Sequence, residues 1–151
     1  LCLLPAAEPE WSTGLQGDTV IKTISVKTSA RTEMVDVTSL VERELAGAGI
    51  SEGRITLYVP HTTAAITVNE GADPAVKADI VMVLNRIIPW EAGYKHLEGN
   101  SPAHVKASLV GPSETVLVTK GRLLLGTWQR IFFCEFDGPR NRQLHLGITS
   151  S

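Results

Sequence analysis

The segment Glu114–Arg140, ETVLVTKGRLLLGTWQRIFFCEFDGPR, is where the reading of the fold turns. It contains runs rich in β-branched and aromatic residues, and Lys120 and Gly121 sit between them at a spacing suited to a tight turn. The segment therefore reads as two strands joined by a hairpin, and RQLHLGITS (142–150) after it reads as a last strand. No strict strand–helix–strand alternation appears in the chain, so the expected class is α+β, with packed, mainly antiparallel sheets and a few helices covering one side.

Upstream of that segment, SPAHVKASLVGPS (101–113) alternates like a strand but carries Ser101 and Pro102 at one end and Gly111 and Pro112 at the other. Those are helix start and stop signals, and they predict a short helix with His104 and Ser108 on one face. WEAGYKHLEGN (90–100) has no periodicity and reads as a long loop. In DPAVKADIVMVLNRIIP (73–89), Asp73 is suited to an N-cap and Pro74 to the first helical position, while Val76, Ile80, Val83, Leu84 and Ile87 make one apolar stripe.

RITLYVP (54–60) predicts a strand, with AAITV (64–68) as its partner or continuation. TSLVERELAGAG (38–49) predicts a helix capped by Thr38 or Ser39 and ended by Gly47 or Gly49. MVDVT (34–38) and TVIKTISVKTS (19–29) read as strands.

The 151 residues, 43% of them hydrophobic, suit a single domain, expected over residues 17–151 with residues 1–16 as a floppy extension. LCLLPAAEPEW at the start has no positive n-region and carries Pro5 and Pro9, which argues against a signal peptide. A net charge of −2 with interspersed signs disfavours nucleic acid and anionic membranes as partners. No apolar run approaches the roughly 18 residues of a membrane span. Cys2 and Cys134 are too few for a disulfide framework, so a reducing, cytoplasmic location is expected, with Cys134 as a core thiol.

His61, after Pro60, reads either as a strand-end histidine bonded to a neighbour or as a site residue. Asn69, Glu70 and Asp73 precede the strongest helix; Asp73 suits the cap, which leaves Glu70 as the acid–base or ligand candidate. HLEGNSPAH (96–104) gathers His96, Glu98, Asn100 and His104. Three neutral imidazoles, His61, His96 and His104, form a candidate set for a divalent ion such as zinc, although their spacing matches no standard ligand signature. The helix start at Ser101 suits an anion, and Lys106, Arg140 and Arg142 are phosphate partners or surface charges. Gly126 inside a predicted strand suggests a bulge or close approach beside Thr127, Trp128 and Gln129, with Trp128 either core or ligand platform.

Three stretches, HTTAAITVNEGADPAVKADI (61–80), HLEGNSPAHVKASLVGPS (96–113) and GRLLLGTWQRIFFCEFDGPR (121–140), resemble the YjbQ family, the secondary thiamine-phosphate synthases, from about Asp18 to the C-terminus. The resemblance implies a homotrimer with its site near a subunit boundary. It places His61, Asn69, Glu70, His96, Asn100, His104 and Gln129 on shared positions and Glu135 and Arg140 on a C-terminal motif. Arg130 departs from the glycine many members carry.

By that resemblance the chain joins a pyrimidine-methyl diphosphate to a thiazole phosphate and releases pyrophosphate. Glu70, His61 and Asn69 are then the catalytic candidates, and Asn100, Lys106, Thr127, Trp128, Gln129, Glu135 and Arg140 the substrate-binding candidates, beside the three imidazoles His61, His96 and His104 as the candidate set for a zinc or magnesium ion. Two alternatives stand beside it. One is a trimer that binds a metal or phosphometabolite without turnover, and the other is a metal-dependent hydrolase with Glu70 as base.

Overall fold

A computed structural model describes residues 17–151, so the N-terminal extension lies outside the described residues. Among the described residues, eight strands form two antiparallel sheets. The larger contains β1 (Thr19–Lys27), β8 (Asn141–Ser150), β3 (Gly53–Tyr58), β5 (Ser113–Thr119) and β6 (Arg122–Leu123), in that order. The smaller has β7 (Gln129–Glu135) between β2 (Glu33–Asp36) and β4 (Ala64–Glu70). The expected α+β class holds.

The alternation of side chains along each strand assigns the layers. Ile55, Leu57, Leu144, Leu146 and Ile148 of the large sheet meet Ala64, Ile66, Ile131 and Phe133 of the small one in a shared core. On the other face of the small sheet, Ala65, Phe132 and Cys134 pack with Leu84 of α2 (Pro74–Ile87) and Ala103 and Ala107 of α3 (Ser101–Val110). Strand β7 is thus buried on both faces, and burial pushes the Cys134 thiol up to about 12. Helix α1 (Thr38–Ala48) does not join α2 and α3 on one side; its Val41 and Leu45 enter the core between the sheets.

Three local expectations change. Strands β3 and β4 belong to different sheets, because β3 pairs with β8 and β5 while β4 pairs with β7. Thr38 does not cap α1; its hydroxyl accepts the Ile131 N–H at 2.8 Å, tying the helix start to β7. The predicted strand after the Lys120–Gly121 turn ends at Leu123, and Gly126–Gln129 forms a turn in which Gln129 Oε1 accepts the Gly126 N–H at 2.8 Å. Gly126 is therefore a turn residue, and the strand resumes only at Gln129.

At the start of α2, Asp73 caps as its sequence position suggests, with Oδ1 accepting the Ala75 N–H at 2.8 Å. Asp73→Ala is expected to cost about 1 kcal/mol in urea unfolding. A cost near zero would mean that packing alone holds this helix end.

The apolar stripe of α2 is only partly used. Leu84 is buried, whereas Val83 and Ile87 are 46% and 59% exposed. Val105 and Leu109 of α3 are exposed as well, so apolar surface on both helices stays open to water in the single chain. No helix among the described residues is long and apolar enough to cross a membrane.

Candidate functional site

The predicted residues fall into two groups at opposite ends of the small sheet. In the antiparallel register of β4 and β7, Ala64 lies opposite Glu135, and Glu70 lies opposite Gln129. The six steps from Ala64 to Glu70 span roughly 20 Å at the rise of a strand. His61 and Glu135 therefore occupy one end, while Asn69, Glu70, Trp128 and Gln129 occupy the other. Within one chain the His end and the Asn–Glu end of the segment from Pro60 to Pro74 do not meet.

At the first end lies a cleft of about 320 Å³. Its polar lining is His61, Thr62, His104 and Ser108, and its apolar lining is Ala64, Ala107 and Pro112. One turn of α3 separates His104 from Ser108, which is why one face presents both. The His96 ring meets His104 edge-on, with centroids 5.4 Å apart, and Glu98 lies 3.7 Å from His96 Nε2. Among the described residues, no carboxylate lines the cleft.

Beneath His61 is a buried ion pair. Arg142 Nε donates to Glu135 Oε2 at 2.8 Å, and Nη2 donates to Glu135 Oε1 at 2.6 Å and to Thr63 Oγ1 at 2.8 Å. Thr28 Oγ1 and the Asp137 N–H complete the shell of the carboxylate. Burial alone would raise the Glu135 carboxyl, but the hydrogen bonds from Arg142, Asp137 and Thr28, with the Arg142 charge, outweigh it and hold the group below the usual range. Glu135, expected on substrate, thus has its oxygens occupied inside the chain.

Next to this pair, Asp137 accepts from Asn100 Nδ2 at 3.1 Å and from Arg140 Nη2 at 2.9 Å. Burial would raise Asp137; those two bonds and the nearby Arg140 and Arg142 charges lower it. Asn100 Oδ1 is buried with no hydrogen-bond partner among the described residues. Burial and the Arg142 charge also hold His61 below its ordinary range, against the opposing pull of Glu135.

Lys106, expected on substrate, is fully buried. Its ammonium donates to Asn85 Oδ1 and lies 4.8 Å from the centroid of Trp90, with Arg31 4.5 Å from the same centroid. Burial, then the Arg31 charge, lowers its pKa. A base lowered in the folded state loses stability to the unfolded chain, which holds the proton more tightly; this loss is complete below the folded pKa and vanishes above the unfolded value near 10.5. Lys106→Met is accordingly expected to stabilise the fold at pH 7 by about 1 to 3 kcal/mol after the lost cation–π contact is allowed for. In urea titrations the gap should narrow as pH approaches 10; a destabilised variant would mean that the Asn85 bond outweighs desolvation.

At the second end, Trp128 is 63% exposed and its carbonyl accepts the Gly71 N–H at 2.9 Å. Thr127 is exposed beside it. The Arg130 side chain lies against Gly71, where a Cβ would come within 2.2 Å of its Cγ. Glu70 is half-buried.

The three-imidazole set does not assemble as one ligand group. His96 and His104 are neighbours and His61 shares the cleft with His104, yet among the described residues no three His, Cys, Asp or Glu side chains are placed to hold a metal ion. Sequence reasoning missed Thr28 and Asp137 as partners of the buried pair. A signal was present: in β8, Arg142 falls in step with the core residues Leu144, Leu146 and Ile148, and a cation on a buried face requires a partner. His145 falls on the opposite face, stacked on Tyr58 and bonded to Thr23 Oγ1 at 2.8 Å, away from the cleft lining.

Comparison with known proteins agrees with this architecture. The family model described as UPF0047 protein YjbQ-like matches residues 22–151. UPF0047 protein YugU of Bacillus subtilis is 51% identical over 84% of this chain and 97% of its own length. UPF0047 protein YjbQ of Salmonella typhimurium is 38% identical over 69% of this chain and 80% of its own length. A crystal structure from Clostridium acetobutylicum, described as an uncharacterized conserved protein of the same family, superposes with a TM-score of 0.83 at 47% identity, covering 84% of this chain and 98% of that one. A YbjQ-like protein of unknown function from Sulfolobus solfataricus gives 0.85 at 33% identity, covering 89% and 99%. The chain belongs to the YjbQ/UPF0047 family.

Proposed function

We propose that the chain is a transferase for small phosphorylated substrates, similar to a thiamine-phosphate synthase, that works as a homotrimer. The observation that carries this reading is the lining of the His61–His104 cleft: two imidazoles and two hydroxyls, all able to donate hydrogen bonds, and no carboxylate. Such a lining favours an anionic oxygen. A reaction that expels pyrophosphate needs donors on the departing charge more than it needs a covalent nucleophile. The hydrolase alternative is less favoured, because among the described residues no three His, Cys, Asp or Glu side chains are placed to hold the metal ion that would activate its water.

Self-association supplies what one chain lacks. The exposed Val83, Ile87, Val105 and Leu109 give apolar surface for a neighbour, and a neighbour is able to bring a Glu70–Trp128 end against a His61–His104 end. Trp128 then offers a flat face for a ring, and Glu70 an acid–base group beside the anion site. Incubation with the hydroxymethylpyrimidine diphosphate and the thiazole phosphate, with pyrophosphate release followed over time, tests the reading. Turnover by a species of trimer mass in light scattering supports it. A monomer that neither turns over nor binds pyrophosphate in calorimetry overturns it.

A further inference from the structure

The polarity of His61 is set by the strand beside it. β3 ends at Tyr58, opposite His145 of β8, so Gln143, two residues earlier on β8, has no partner in β3. The chain leaves β3 through Pro60 and delivers His61 to that open edge, where Nε2 accepts the Gln143 main-chain N–H at 2.9 Å. A peptide N–H is always a donor, so Nε2 must present its lone pair. In a neutral imidazole the proton then resides on Nδ1.

This arrangement opposes metal ligation by His61. A histidine that binds a metal through Nδ1 carries its proton on Nε2, which would point at another donor; one that binds through Nε2 must give up the Gln143 bond. The charges around the ring work the same way. Arg142 of β8, fixed by Glu135 of β7 and by Thr63 just before β4, is a permanent cation beside it, and His145 on β8 and His104 on α3 are further imidazoles; Glu135 is the opposing charge, already engaged by Arg142.

We infer that the Gln143 main chain locks His61 as the Nδ1–H tautomer, and that His61 serves the cleft as a neutral hydrogen-bond donor to a phosphate or diphosphate oxygen. The inference rests on the reading of the cleft as an anion site and assigns the atom that recognises the anion. It also removes His61 from any metal-ligand set.

Long-range imidazole ¹H–¹⁵N correlation on the uniformly ¹⁵N-labelled full chain near neutral pH, without and with inorganic pyrophosphate, tests it. The expected spectrum has a protonated Nδ1 and a bare Nε2 for His61, with pyrophosphate shifting Nδ1 and leaving Nε2 bare. A protonated Nε2 overturns the lock, and so does a zinc titration in which a His61 nitrogen acquires the metal. If pyrophosphate shifts His104 but not His61, the cleft remains an anion site and the donor role is wrong. If it shifts neither ring, the anion-site reading falls and the donor role falls with it.

Discussion

Arg142→Ala is expected to cost about 3 to 5 kcal/mol in urea unfolding at pH 7, because it leaves the Glu135 carboxylate buried without its counter-charge. The arginine supplies two of the hydrogen bonds on that carboxylate and a third to Thr63, and among the described residues no other cation is hydrogen-bonded to Glu135. Adding Glu135→Gln to the variant should recover part of the loss, since a neutral amide is cheaper to leave unpaired than an ion. The wild type should respond to acid in a defined direction. A carboxyl held below its unfolded value, near 4.5, gives stability that is fully present above that value and is lost as pH falls through the folded pKa. The difference between wild type and Arg142→Ala should therefore shrink below about pH 4. A cost under 1 kcal/mol, or a difference independent of pH, would mean that Thr28 and the Asp137 N–H suffice for Glu135.

Glu70→Gln is expected to abolish turnover while leaving the melting temperature nearly unchanged. The amide keeps the shape of the side chain but cannot act as a base, and the cap of α2 belongs to Asp73. His104→Ala should lower kcat/KM by about 100-fold, the scale of one lost donor to developing negative charge. The mixture of the two variants is more telling than either. If each site takes its Glu70 from one subunit and its His104 from the next, a mixed trimer contains one site with both residues intact. Random co-assembly from equal amounts should then restore about a quarter of wild-type activity. Sites confined to single chains would leave every mixture at the residual activity of the separate variants, so failure of a verified mixed trimer to rise above it rejects the shared site.

The elements legible in the sequence were those written in local signals. Asp73 followed by Pro74 announced α2, Ser101 and Pro102 announced α3, and Lys120–Gly121 marked the turn between β5 and β6. Misreadings arose where a distant group competed for a local one. Thr38 had the chemistry of a cap, but the Ile131 N–H, 93 residues away, took its hydroxyl. Gly126 looked like a strand residue because the side-chain bond from Gln129 that bends the chain is invisible to a pattern of hydrophobicity.

The candidate site divides in the same way. Residue types in the segments around His61 and His104 pointed to an anion-binding or metal-binding role, and the cleft brings those two histidines together. Their separation from Glu70 follows from the β4–β7 register, which depends on pairing between residues 59 to 71 positions apart. Lys106 illustrates the opposite error. As a lysine on a short helix it reads as an exposed phosphate partner, and only the packing of Trp90 and Asn85 around it encloses the ammonium.

The burial of β7 on both faces has a consequence for uniqueness of the fold. Strands with one wet face have their pairing fixed by solvent, since a shift of one residue would turn apolar side chains outward. In β7, Ile131 and Phe133 on one face and Phe132 and Cys134 on the other are both apolar sets, so a one-residue slip exchanges one greasy surface for another. Glu135 breaks that degeneracy. A slipped strand would swing its carboxylate away from Arg142 toward α2 and α3, and would strand the Arg142 guanidinium between the sheets without the hydrogen bonds it now makes. The charged pair thus acts as an alignment pin, selecting one pairing among alternatives that hydrophobicity alone would leave nearly equal in energy.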